Sequence, residues 1–245
     1  MSRFDADARG AKKRDYWFTV LLTDPVAVPL TNFLAKRRLL SPNQVTMVSL
    51  VLGLSVGVFF ATGERWGLVA GGIAFYLAFV TDCVDGKLAR ATGITSDKGE
   101  ALDALADGGR RASASLGLGA YFWSVVNAFD SRVGDSTACK LTDLAPCETH
   151  SRGELGLILI FLYAILAYYF LEISGADKGE AGGGIRGAWS QRLARYRLLP
   201  NPGMPDVQAI VFVVGPITGL VVPALIVGIV MVALAILLTV VRRLR

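Results

Sequence analysis

The amino-acid sequence predicts an all-α integral membrane protein of about six transmembrane helices with a cytoplasmic, interfacial amphipathic helix at its N-terminus. Three observations predict it. The 245 residues are 53% hydrophobic and 18% charged, with a mean hydropathy of +0.50; a soluble domain of this size carries more charge. Apolar runs at 45–61, 66–80, 155–171, 207–222 and 224–241 are each near the roughly 20 residues that cross a bilayer. A sixth run, 102–126, is less apolar and begins among aspartates. Finally, lysines and arginines gather before the first run, between the fourth and fifth spans in chain order, and at the C-terminus, whereas 127–153 carries Asp130, Asp135, Asp143 and Glu148 against few bases. By the positive-inside rule both termini face the cytoplasm. The net charge of +5 is then topology and attraction to anionic lipid heads rather than nucleic-acid binding.

Taken in order, residues 1–40 form an N-terminal cytoplasmic segment and 41–245 a membrane-embedded domain. The polar start, Ser2 to Asp15, predicts no cleavable signal peptide. From Tyr16 to Leu40, apolar and polar positions alternate in helical fashion up to Lys36-Arg37-Arg38, an interfacial helix interrupted near Asp24-Pro25. Ser41-Pro42-Asn43 opens the first span, with Ser41 as cap and Pro42 at the first helical position. Thr62-Gly63-Glu64-Arg65 is a short external turn. The external segment 127–153 holds Cys139, Cys147 and the lone His150; the two cysteines can pair if that side is oxidising or stay free. Residues 179–187 read as a flexible cytoplasmic loop, and 191–199 as a short basic helix closed by the proline-rich 200–205. Trp17, Trp66, Trp123 and Trp189 fall near the expected interfaces, as an aromatic belt.

Chemistry concentrates between positions 82 and 107, which read D-x-x-D-G-x-x-A-R, eight residues, then G-x-x-x-D-x-x-x-D. Asp82, Asp85 and Ala89 share one helical face; so do Gly99, Asp103 and Asp107. The stretch between them, Ala91 to Lys98, carries glycine, β-branched residues and a Ser/Asp pair suited to capping, so it reads as a turn. A helical hairpin joined there aims four carboxylates into one cleft. Ionised groups at membrane depth mark function, and like charges this close require a cation between them. With neither sulfur nor imidazole beside them they suit Mg²⁺ or Mn²⁺. Four acids exceed what one such ion takes from protein, so two bridged ions gripping a diphosphate are expected.

These eight positions resemble the signature of the CDP-alcohol phosphotransferases, membrane enzymes of phospholipid synthesis, with every fixed position met. The resemblance implies that a phosphatidyl-type group passes from a CDP-linked lipid, CDP-diacylglycerol foremost, to a small alcohol, releasing CMP. It implies that Asp82, Asp85 and Asp103 hold the metals and that Asp107, touching one of them, is the general base. It sets Gly86, Ala89, Arg90 and Gly99 against the cytidine and its phosphates, and implies a homodimer in the cell membrane. Asn43 and Thr46, at the mouth of the first span, complete that pocket or merely start their helix. Arg110, Arg111, Arg192 and Arg195 suit a phosphorylated acceptor such as inositol phosphate or glycerol phosphate, or follow the topology. Direct attack and a covalent enzyme intermediate both stay open. Two rivals are a Mg²⁺-dependent membrane prenyltransferase, which leaves Gly86, Ala89 and Arg90 unexplained, and a cation transporter, which needs acids through several spans.

Overall fold

The computed structural model describes residues 14–37, 39–94, 96–133, 144–175, 193, 195–199 and 203–244. The described residues are helical, with no strand beyond one isolated bridge between Asp15 and Leu198. A π-helical turn, Thr19–Thr23, runs into α1 (Asp24–Arg37). There follow α2 (Pro42–Ala61), α3 (Arg65–Thr92), α4 (Asp97–Val133) and α5 (Leu144–Gly175). The chain then forms α6 (Met204–Ala209), a second π-helical stretch (Ile210–Val214), α7 (Gly215–Thr218) and α8 (Val221–Arg243).

Among the described residues, four helical segments are long and apolar enough to cross a membrane: Pro42–Ala61, Arg65–Thr92, Arg152–Ile173 and Val221–Val241. The two further expected spans fall outside that set for physical reasons. α4, about 55 Å long at helical rise, carries Asp103, Asp107, Arg110 and Arg111 on its first turns. The Met204–Thr218 helix is too short and ends at Gly219, whose φ of 82° only glycine adopts freely. Helices also outrun the apolar stretches that announce them. α3 continues to Thr92, α4 reaches Val133 and α5 starts at Leu144, so His150 lies on a helix and most of the expected external loop is helical. Residue 139, the Cys147 side chain and residues 176–192, Trp189 among them, lie outside what is described.

α2 lies between α3 and α4 and packs on both. Small residues allow this. A Cβ on Gly57 would stand 2.5 Å from the Ser113 backbone oxygen, and one on Gly117 2.5 Å from Gly57 Cα. Ser113 Oγ donates to the Leu54 carbonyl at 2.8 Å. The close approach draws the start of α4 toward the end of α3. Beneath, a core of Phe60, Phe75, Leu118, Phe122, Tyr163, Phe212 and Leu225 joins α2–α5 to the π-helical stretch and α8.

The N-terminal segment is built into this body. No break occurs at Asp24-Pro25: the π-helical turn before it widens the backbone hydrogen-bonding pattern where proline would clash. Ala27 and Leu34 pack on Val80, Val84 and Leu88 of α3, while Leu22, Val26, Leu30 and Phe33 stay exposed. Trp17 ties the segment to the chain before α6, for its Nε1 donates to the Leu199 carbonyl at 2.8 Å. Asp206 accepts from Phe18 N at 2.6 Å and from Gly203 N at 2.7 Å.

One buried ion cluster fastens the segment. Asp24 lies 3.0 Å from Lys87 Nζ and 3.3 Å from Arg197 Nη1, and both Asp24 and Lys87 are buried. Removing one partner strands a buried charge, so Asp24→Ala is expected to lower stability by about 3–5 kcal/mol. Thermal unfolding in detergent measures this; the double variant Asp24→Leu, Lys87→Met should recover much of the loss, and equal melting of the wild type and Asp24→Ala would contradict the pairing.

Candidate active site

The site sits where α3 ends and α4 begins. Gly93, at φ 69°, stops α3. Ser96 opens α4 by accepting from Gly99 N through its hydroxyl at 3.1 Å and from Glu100 N through its carbonyl at 3.0 Å. The turn is therefore shorter than the sequence suggests, because Ala91 and Thr92 remain helical. Beside it, Ser41 and Gln44 form the reciprocal cap of α2 with Pro42 in the first turn, bringing Asn43 and Thr46 to the same place.

Asp82 and Asp85 from α3 meet Asp103 from α4: one carboxylate oxygen of each lies within 4.8 Å of the other two. Asp85 is 3% exposed. Asp82 Oδ1 and Asp85 Oδ2 are buried without a hydrogen-bond partner. Three hard oxygens converging this way, on carboxylates of which two have an oxygen without a hydrogen-bond partner, fit a divalent cation of the Mg²⁺ class.

Asp107 stands outside this trio. Its carboxylate pairs with the Arg110 guanidinium and lies 3.4 Å from Arg111 Nη1. Arg110 is 1% exposed. It lies 5.6 Å from the Phe75 ring centre and 5.2 Å from that of Phe79, with Nη1 3.6 Å from Asp82 Oδ1. That last separation is an ion pair, too long for a hydrogen bond. The guanidinium thus compensates two of the four acids from inside the bundle, an arrangement the spacing did not reveal.

Two cavities meet at the acids. The first, about 480 Å³, is lined by Asn43, Thr46, Asp85, Gly86, Ala89, Arg90, Gly99 and Asp103, with Pro42, Ile94, Ser96, Asp97 and Glu100. Every residue that the sequence assigned to the nucleotide lines it. Over Gly86 the space is open: a Cβ there would meet only the Arg90 guanidinium, at 3.5 Å. The second cavity, about 310 Å³, is lined by all four aspartates, Arg110 and Arg111, and also by Asp15, Tyr16, Thr19, Lys87 and Gln208. Asp85, Gly86, Arg90 and Asp103 belong to both.

Of the four arginines assigned to an acceptor, Arg111 lines the second cavity half-buried, and Arg110 lines it with its charge engaged by Asp82 and Asp107. Arg195 is exposed and lines neither cavity; Arg192 is outside the described residues. The sequence reading missed Tyr16, Asp24, Lys87 and Gln208. A signal for one pair existed, since a lone lysine and a lone aspartate in apolar helices must find each other.

A family model described as CDP-alcohol phosphatidyltransferase matches residues 39–171, more than half of the 245. Among curated proteins, no sequence matches the chain.

Proposed function

The chain belongs to the CDP-alcohol phosphatidyltransferase family, and from that premise we propose that it moves a phosphatidyl-type group from CDP-diacylglycerol to the hydroxyl of a small alcohol, releasing CMP. The observation that carries this reading is the pair of cavities sharing Asp85, Gly86, Arg90 and Asp103. A transfer between two substrates needs two chambers open to one reacting centre, whereas an ion path or a single-substrate site does not.

The first cavity suits the donor. Its open space above Gly86 lets a base or phosphate approach the backbone, and Asn43 and Thr46 offer polar groups at its rim. Asp82, Asp85 and Asp103 would hold Mg²⁺ or Mn²⁺. Such ions neutralise the diphosphate and the charge growing on the departing CMP.

Asp107 lines the second cavity and not the first, which supports its role as general base on the acceptor side. The hydroxyl oxygen forms a bond to the phosphorus that carries the lipid alcohol. The bridging P–O bond breaks, CMP leaves with the electron pair, and the hydroxyl proton passes to the Asp107 carboxylate. Arg110 and Arg111 hold that carboxylate at its station. Positive-inside topology puts this end of the bundle in the cytoplasm of a cell-membrane protein, where nucleotides are found.

The test is CMP release by the full chain in detergent micelles with Mg²⁺, CDP-diacylglycerol and a panel of alcohols and their phosphates. Release that requires both an alcohol and the metal supports the proposal. Absence of release with every alcohol, and with CDP-glycerol as a polar donor, rejects it.

A further inference from the structure

The two cavities differ in where their walls come from. Every residue around the first, from Pro42 to Asp103, lies within the stretch 39–171 that matches the family. The second draws Asp15, Tyr16, Thr19, Met204, Pro205 and Gln208 from outside it. The first chamber is thus walled entirely within the matched stretch, whereas the second is completed by residues from both ends outside it.

Three of those residues present polar groups that the protein leaves unused. Gln208 on α6 is 4% exposed, yet its amide has no hydrogen-bond partner among the described residues. The amide lines the second cavity, where water or a ligand hydroxyl can pair with it. Thr19 is 4% exposed and its hydroxyl is likewise without a partner among the described residues. The Tyr16 hydroxyl is too. Burial, with Asp15 and Asp206 nearby, pushes the Tyr16 phenol above its usual range, so it stays a hydrogen-bond donor.

Their positions are fixed from behind. The Tyr16 ring fills the space of a missing side chain, since a Cβ on Gly203 would stand 2.0 Å from its Cε1. Asp206 ties the backbone of Phe18 to Gly203, and the Asp24–Lys87–Arg197 cluster fastens the segment to α3. An amide and two hydroxyls held rigidly around about 310 Å³ match a molecule bearing several hydroxyl groups.

We propose that the second chamber receives a polyhydroxylated acceptor, free or phosphorylated, and that Tyr16, Thr19 and Gln208 select it by hydrogen bonding hydroxyls other than the one that attacks. The inference rests on the transferase reading above. A site that hydrogen-bonds a hydroxyl discriminates strongly against compounds lacking it, because its own groups are then left unpaired.

The experiment measures CMP release from CDP-diacylglycerol by the full chain with Mg²⁺ and, in turn, glycerol, glycerol 3-phosphate, myo-inositol and inositol 1-phosphate. Comparison of the free and phosphorylated arms tells which form is taken. Gln208→Leu, Tyr16→Phe and Thr19→Val are each expected to raise the KM for the best acceptor about tenfold or more, or to reorder the panel, with the donor KM held within about twofold. Gly203→Ala, which displaces the Tyr16 ring without removing its hydroxyl, should act in the same direction. If donor and acceptor KM move together, or if the acceptor KM and the order of the panel are unchanged in an active protein, the selection by these residues is wrong. If the wild type releases no CMP with any alcohol, the transferase reading fails and this inference with it.

Discussion

Asp107→Asn lowers alcohol-dependent CMP release by about 10²–10⁴-fold while leaving CDP-diacylglycerol and Mn²⁺ bound. The asparagine amide has nearly the same size and cannot take the hydroxyl proton. Donor binding should survive because Asp107 does not line the first cavity, and metal binding should survive because it lies outside the Asp82, Asp85 and Asp103 trio. Steady-state kinetics together with equilibrium binding of the donor separate the possibilities. A fall in kcat with an unchanged donor Kd fits a proton acceptor; lost donor binding with intact turnover at saturation would give Asp107 a binding role instead. Exchange of labelled CMP into the donor without acceptor would further point to a covalent intermediate, against direct attack.

Arg110→Met has the second large effect, and it falls on stability as well as rate. The guanidinium is buried, lies against Phe75 and Phe79, and faces Asp82 and Asp107. Methionine fills similar volume but leaves the Asp82 carboxylate beside Asp85 and Asp103 without its counter-charge. Stranding a buried charge costs about 3–5 kcal/mol, read as a lower thermal midpoint in detergent. Arg110→Lys, which keeps the charge but not the planar fork, should recover part of it. Saturating Mn²⁺ should recover part as well, since a cation among the carboxylates offsets the missing charge. Unchanged melting combined with a raised acceptor KM alone would instead make Arg110 an acceptor ligand.

How far the sequence reaches is clearest at particular residues. The Asp82, Asp85 and Asp103 cluster was legible because helical spacing fixes which side chains share a face, and a glycine with a Ser/Asp pair marks the turn that folds the two faces together. The wall of the first cavity was legible for the same reason, because Asn43, Thr46, Gly86, Ala89, Arg90 and Gly99 all lie within about a turn or two of those acids or of a visible helix start. Sequence spacing puts Arg110 one turn past Asp107, and only the tertiary structure shows that its charge pairs with Asp82 as well as Asp107 while it lines the second cavity. Gln208 and Tyr16 were invisible, since segments far apart in the chain bring them to the wall of the cavity that the acids line, and nothing local marks an amide or phenol as unpaired. Helix existence was predictable from apolar runs, whereas helix ends were not, because α3 extends through polar residues where Val84 and Leu88 pack on α1.

The central claim is that three carboxylates from two helices grip divalent metal where the donor and acceptor chambers meet. Electron paramagnetic resonance of Mn²⁺ titrated into the purified full chain in detergent micelles tests it most directly. The account predicts bound Mn²⁺ in the wild type that is displaced by Mg²⁺, lost in Asp85→Asn and in Asp103→Asn, and kept in Asp107→Asn. Wild-type protein that leaves the Mn²⁺ spectrum free, or an Asp85→Asn variant that binds as tightly as the wild type, would contradict it.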